Sequence, residues 1–396
     1  MDQPGRITWQ GTPWYLHGAN VPWFNWGCDF GCGVSGGVSD PAVRTQVEAG
    51  LAKLKDSGVH LARWWVFEGT AWQITRDAAG LPSGIDARVY ADLDAALALA
   101  EKYDLYYELT LFHGPGNVPA AWLTDSTQRG RLVAALTPLF ARYRGHPRVL
   151  AYDVMNEPEQ DIWNGTIPQA AVQALVREVA AAVHGNSTAY VTVGASMLDG
   201  LPLWKGLGLD FYEAHWYDYM SGGNWCARCT DYATVQQRYG LDRPLVIGEF
   251  YAGPDTDALQ RYTDWRNKGY AGAYAWSVFS DKTQDKMPID YAAARSFGSA
   301  YGDTGPRAGA LAQASATPSA TAAASATAVP SATTAAAASP TATSAPAATS
   351  TPSTTATAVV GSATPIATVT VLPSATAPAS SPTATAAKPG RRNGQR

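Results

Sequence analysis

The run Val149-Leu150-Ala151-Tyr152-Asp153-Val154-Met155-Asn156-Glu157-Pro158 decides how this chain folds. Residues 149–156 form a brief apolar pattern that ends in polar side chains, and Pro158, which cannot donate to a sheet ladder, stops it as a strand. On either side stand longer patterns, 127–143 and 168–183, whose apolar residues recur at the three and four spacing of amphipathic helices.

The same alternation extends outward in both directions. Strand patterns lie at 14–20, 60–66, 105–112, 190–193, 210–215, 245–249 and 272–276, with helical patterns between them at 41–56, 88–102, 232–239 and 256–268 and shorter ones at 201–205 and 291–297. Strands alternating with helices require right-handed crossovers and a parallel sheet, and eight units favour closure into an α/β (β/α)8 TIM barrel. The open, doubly wound alternative lacks its phosphate turn, since Gly18-Ala19-Asn20 after the first strand does not fit the dinucleotide fingerprint.

Composition changes sharply near Pro306. From 307 to 396 the chain is almost wholly Ala, Thr, Ser, Pro and Val, with no aromatic and no acidic residue. Such a segment buries too little apolar surface to offset its chain entropy and reads as a disordered low-complexity tail or linker. Residues 1–306 hold all 14 Trp and form one domain of a size suited to a barrel.

Five of the 29 basic residues lie in the tail, leaving 24 against 33 acidic groups in the domain, a formal −9. A mildly acidic, aromatic-rich domain argues against nucleic acid as a partner and suits a neutral, hydroxyl-rich ligand. No apolar stretch is long enough for a membrane span, and Met1-Asp2-Gln3-Pro4 carries no signal peptide, although a Ser/Thr/Pro/Ala tail suits an extracellular enzyme. Monomer is the default oligomeric state.

Four cysteines form two close pairs, Cys28/Cys32 and Cys226/Cys229, in Gly-rich loops. They permit two disulfides or a four-thiolate zinc site; the three-residue spacer of the first pair and the exported character of the tail favour disulfides.

Two carboxylates stand at strand ends: Glu157, and Glu249 in Val246-Ile247-Gly248-Glu249-Phe250. Cleavage of a glycosidic bond needs one carboxylic acid to protonate the leaving oxygen and a second carboxylate at the anomeric carbon, both at the mouth of the barrel. A lone Asn-Glu-Pro also occurs in ordinary surface turns. The combination of strand ends carries the reading.

Taken together, those ends make residues 6 to 300 similar to glycoside hydrolase family 5, the cellulase and mannanase family of the clan A (β/α)8 barrels. The matching positions are Arg63, His113, Asn156, Glu157, His215, Tyr217, Glu249 and Trp276, in that order, and the opening from Arg6 through Leu16-x-Gly18-x-Asn20 is also similar. Trp64 and Trp65 after Arg63, where the family commonly has Pro at the second position, and Gly114 after His113 depart from its pattern.

The resemblance implies a retaining β-glycoside hydrolase without metal or organic cofactor, with Glu157 as acid/base and Glu249 as nucleophile and a β-1,4-glucan or β-mannan as substrate. Arg63 and Tyr217 are expected to favour ionised Glu249, and the Glu249 charge to raise Glu157 by repulsion. Asn156 is expected to hold the sugar 2-hydroxyl, His113 and His215 to hold or orient the sugar, and Trp276 to stack on it before a cis Trp276–Ser277 peptide.

Of the loop tryptophans Trp23, Trp26, Trp122, Trp163, Trp216 and Trp225, those beside the cysteine pairs, Trp26 and Trp225, are expected to wall the substrate. Asp153 and Glu213 read as buried structural partners. The alternatives are an inverting glycosidase and a non-catalytic carbohydrate-binding barrel.

Overall fold

A computed structural model of the chain describes residues 6–9, 11–32, 36–68, 73–220 and 226–304. Trp225 and the tail at 307–396 lie outside the described residues.

Eight parallel strands close into a barrel: β1 (Leu16–Val21), β2 (Leu61–Trp65), β3 (Tyr106–Phe112), β4 (Val149–Asn156), β5 (Tyr190–Ala195), β6 (Tyr212–His215), β7 (Leu245–Tyr251) and β8 (Gly272–Trp276). Each pairs with the next, and β8 pairs with β1 through Gly272–Leu16 to Ala275–Ala19. The helices are α1 (Pro41–Asp56), α2 (Ala87–Tyr103), α3 (Ser126–Arg142), α4 (Gln169–Asn186), α5 (Tyr232–Tyr239), α6 (Ala258–Asn267) and α7 (Tyr291–Ala300). Asp40, Asp86, Asp125 and Asp290 cap α1, α2, α3 and α7 by accepting backbone N–H groups of the first turn. Each satisfies donors that a helix otherwise leaves open, a contribution of about 1 kcal/mol.

Strand residues alternate between two environments. On β3, Tyr107, Leu109 and Leu111 pack outward with α2 residues Val89, Leu93 and Ala96 in the main core, while Glu108 and Thr110 point into the barrel toward Asp153 and Tyr274. On β2, Trp64 goes outward, its indole N–H donating to Asp29 at 2.9 Å, and Arg63 and Trp65 go inward. The interior therefore holds a charged layer under the mouth.

The opposite end is closed by apolar residues. An antiparallel hairpin, Ile7–Trp9 with Thr12–Trp14, packs Trp9 and Trp14 with Leu16, Leu61, Tyr106 and Leu150. Arg6 Nε lies 3.0 Å from Asp303, Arg266 lies 2.9 Å from the same carboxylate, and the Asp303 carbonyl accepts from Tyr15 N at 2.8 Å. The two ends of the described domain are clasped there.

Several boundaries differ from the sequence reading. Trp14 belongs to the hairpin, so the first barrel strand starts at Leu16. The short fifth helix is a 3₁₀ helix, Leu198–Trp204, with Pro202 inside it. The last helix runs on to Ala300. A hairpin, Ile74–Arg76 with Pro82–Ile85, and short helices Ala120–Thr124 and Glu159–Trp163 fill loops that carry no periodic signal. Among the described residues, no helix is long and apolar enough to cross a membrane.

Candidate active site

The eight positions singled out above stand in the C-terminal halves of β2, β3, β4, β6, β7 and β8 or just after them. Arg63 organises them. Its Nη1 donates to Glu249 Oε1 at 2.9 Å and to Asn20 Oδ1 at 3.1 Å; its Nη2 donates to Asp153 at 2.7 Å and to Asn156 Oδ1 at 2.9 Å. Glu249 receives a second donor on its other oxygen, Tyr217 OH at 2.9 Å. Both oxygens of Glu249 are thus held, and Asn156 is turned so that its amide N–H groups remain available.

Glu157 follows β4 in a left-handed backbone conformation, φ 46°, uncommon for a residue with a side chain, and its N–H donates to Gly194 O at 2.7 Å. The turn is braced by Glu159, which is buried and accepts from Ser196 N at 2.9 Å and from the Trp204 indole. His215 bridges the two strand-end acids: its Nδ1 is 2.7 Å from Glu157 Oε1 and 3.5 Å from Glu249 Oε2. Ligand-capable atoms of Glu157, His215 and Glu249 all lie within 4.8 Å of one another.

These contacts change the expected proton balance. Burial opposes charge on His215, but Glu249, Glu157 and Glu213 outweigh it and push its pKa up to about 10. For Glu157, burial alone favours the neutral acid; the hydrogen bond and charge of His215, with Arg63 and His113, outweigh it and hold its carboxyl below the usual range. Glu249 goes the other way. Its burial, reinforced by Glu157, outweighs His215, Arg63 and Tyr217 and raises it. Both shifts run opposite to the expectation of a raised Glu157 and a favoured Glu249 anion, because His215 contacts Glu157 directly and its charge holds that carboxyl low. Sequence spacing cannot show which ring nitrogen meets which carboxylate.

Aromatic groups wall the mouth. Trp65, Tyr217 and Trp276 form one buried cluster with Met220, Tyr251 and Met287 packed on it. The Trp276–Ser277 peptide is cis, as the resemblance implies, and the Trp276 indole donates to Asp285 at 2.7 Å. Trp65 lies edge-on to Trp276 and Trp23, with the Arg63 guanidinium over its ring at 4.3 Å. His113 pairs with buried Glu68 at 3.0 Å and stands 6.2 Å from the Trp23 ring centre.

The loop tryptophans divide. Trp122 and Trp216 are buried in the core, whereas Trp26 is 56% and Trp163 50% exposed. Cys28 pairs with Cys32 and Cys226 with Cys229, so all four thiols are joined within their couples rather than gathered in one site. Asp153 and Glu213 are fully buried beside Arg63, as structural partners.

Some neighbours of the site escaped the sequence reading. Glu68, Glu108 and Asp285 carried a faint signal, a charge at or near a strand end or within an apolar run. Tyr219, 74% exposed and stacked on Tyr217 at 5.6 Å with an 8° interplanar angle, carried none. Two triads, Glu157/His215/Glu249 and Glu108/Asp153/Glu213, are compact enough for a cation. Arg63 already supplies positive charge to both.

No family model matches the chain. It is similar to a mannan endo-1,4-beta-mannosidase of Cryptopygus antarcticus, 26% identical over 316 residues, covering 67% of this chain and 81% of the relative. A mannan endo-1,4-beta-mannosidase of Mytilus edulis is 25% identical over 327 residues, covering 69% and 86%. Among solved structures, an endo-1,4-beta-mannanase of Eisenia fetida superposes with a TM-score of 0.63 at 21% identity, over 76% of this chain and 94% of that one. These sequence matches support the resemblance to glycoside hydrolase family 5 and, on this closed barrel, make the chain a glycosidase of O-glycosyl bonds.

Proposed function

We propose that the chain is a retaining β-1,4-mannanase in which Glu249 is the nucleophile and Glu157 the acid/base. The observation that carries this reading is the pair of strand-end carboxylates with oxygens within 4.8 Å of each other and His215 Nδ1 against both. Retaining enzymes hold their carboxyl groups about 5–5.5 Å apart and inverting ones about 6.5–9.5 Å, so this spacing favours retention. Mannan is preferred over β-glucan because the relatives similar in sequence are named for it.

In this mechanism Arg63 and Tyr217 aim Glu249 at the anomeric carbon. The proton that Glu157 gives to the leaving oxygen comes across its 2.7 Å contact with His215. Once Glu249 is a neutral glycosyl ester, the site has lost a negative charge and Glu157 can take a proton from water. Asn156, fixed by Arg63, offers its N–H to the sugar 2-hydroxyl, where the interaction strengthens as positive charge develops.

Turnover on a panel of β-mannans, β-glucans and xylans, with the anomer of the first product read by NMR, tests the proposal. Cleavage of mannan with a β product is expected; an α product, or equal rates on glucan and xylan, would sink it. The pH profile of kcat/KM should be bell-shaped. On the acid side activity is lost as Glu249 takes a proton, above the ordinary carboxylate range because its pKa is raised. On the alkaline side it is lost as the proton held by His215 leaves, toward about 10.

Tyr219 extends the Tyr217 ring outward and suits a neighbouring sugar. Tyr219→Ala is expected to raise KM for mannan oligosaccharides by about 3–10-fold, with a smaller change in kcat. An unchanged KM on long and short oligomers would remove Tyr219 from the binding surface.

The domain at 1–306 is taken as the catalytic part of an extracellular, monomeric enzyme. Sedimentation of the whole chain and limited proteolysis check both.

A further inference from the structure

We propose that Glu108 is a carboxylic acid in the resting enzyme, sharing its proton with Glu213 in the barrel interior, and that this pair positions charge on His215 and so sets when Glu157 holds a proton to give. The inference rests on the reading of Glu157 as the acid.

Donor supply in the layer beneath the mouth is the starting point. Glu108 and Glu213 are fully buried, and their oxygens, with one of Asp153, lie within 4.8 Å of one another. The five N–H groups of Arg63 are committed. Nη1 and Nη2 serve Glu249, Asn20, Asp153 and Asn156; Nε lies 3.2 Å from Asp153 and 3.0 Å from Glu213. Nε is 3.6 Å from Glu108, too far for a hydrogen bond. Glu108 receives one donor, Tyr274 OH at 3.0 Å on Oε2. Glu108 Oε1 and Glu213 Oε2 have no hydrogen-bond partner, and Glu213 Oε1 has Arg63 Nε at 3.0 Å as an ion pair without hydrogen-bond alignment.

Buried acceptor atoms left without an aligned donor are costly, and one proton between the two carboxyl groups pairs two of them. Charge leads to the same conclusion. Arg63 and His215 are the cations facing Glu108, Asp153, Glu213, Glu249 and Glu157, two against five, and His113 at the rim is engaged by Glu68. An interior cannot hold that excess of negative charge ionised. Burial and the neighbouring Glu213 push Glu108 up, whereas Arg63 and His215 overcome burial and hold Glu213 low, which divides the roles. The sequence makes room for this: a Cβ at Gly248 would collide with the Glu213 carboxylate, and one at Gly194 with Arg63.

The link to chemistry is His215, whose Nε2 is 3.8 Å from Glu213 Oε1 while Nδ1 meets Glu157 at 2.7 Å. Ionised Glu213 favours the imidazolium. Removing that charge makes His215 surrender its proton at lower pH. Glu108 and Glu213 touch no reacting atom and act as positioning residues.

Infrared spectroscopy of the whole chain, with and without Glu108→Gln, reads the proton directly. A carboxylic acid carbonyl band is expected at neutral pH, absent in Glu108→Gln and shifted in Tyr274→Phe; a spectrum identical in all three overturns the proposal. The pH profile of kcat/KM on an aryl β-mannoside is the second readout. Glu213→Gln is expected to bring the alkaline limb down by about one unit, about a tenfold loss on the limb, and Glu108→Gln to leave the limb's position where it is, whatever its effect on the rate. A limb that moves equally in both variants shows Glu108 ionised and overturns the proposal. Because the infrared band does not depend on turnover, it separates failure here from failure of the Glu157 assignment, which Glu157→Gln tests.

Discussion

Replacing Glu249 by Gln is expected to lower kcat on mannan oligosaccharides on the order of 10⁴-fold or more, because Glu249 is the group proposed to form the glycosyl ester. The loss belongs to chemistry rather than binding: Gln keeps the volume, its carbonyl oxygen still accepts from Arg63 and its NH2 faces the Tyr217 hydroxyl, which can accept, so KM should change little by comparison. Glu249→Ala leaves a gap that a small anion can enter. Azide with an activated aryl β-mannoside should then restore turnover and give an α-glycosyl azide, since it attacks from the face the carboxylate used. Glu157→Ala with azide should give the β-glycosyl azide, formed on the covalent intermediate. Product NMR distinguishes the two. The same anomer from both variants, or a tenth of the original activity in Glu249→Gln, would refute the assignment of roles.

The second large effect is on stability. Arg63→Met removes the cation shared by Asp153, Glu213 and Glu249 and leaves His215 as the one cation facing their buried charges, a cost of about 3–5 kcal/mol at neutral pH. Without the guanidinium those carboxyls rise above their unfolded values, so the folded variant holds protons that the unfolded chain releases. The deficit should be small below about pH 4, where carboxyls are protonated in both states, and grow as pH rises from there toward the new folded values. Urea denaturation across pH measures this. A deficit that does not vary with pH would mean that packing, not charge, is what Arg63 contributes.

Much of this was legible in the chain because two periodicities are clean. The run 149–158 announces a strand, its end and its acid at once, and strands 105–112, 149–156 and 272–276 lie within one residue of their observed bounds. The strand-end residues could be named because a parallel barrel sends every strand to the same rim. What escaped has a common cause: it depends on which atom faces which. His215 could be placed at the mouth, but the meeting of its Nδ1 with Glu157, which reverses the expected proton balance, is a matter of rotamer and ring orientation. Tyr219 gains its position from an irregular turn after β6, and Glu108 from an inward register shared with Arg63. Trp122 and Trp216 show the converse, loop positions that packing draws inward.

The clasp of Arg6, Tyr15 and Arg266 on Asp303 brings the two ends of the described ring together at the face away from the mouth. A short peptide joining those ends, with the backbone reopened in an exposed turn such as the one at Gly80, yields a circular permutant whose rim is assembled from the same eight strands in a different order of synthesis. The barrel has in effect no obligatory first strand, and its catalytic geometry belongs to closure rather than to chain direction of assembly.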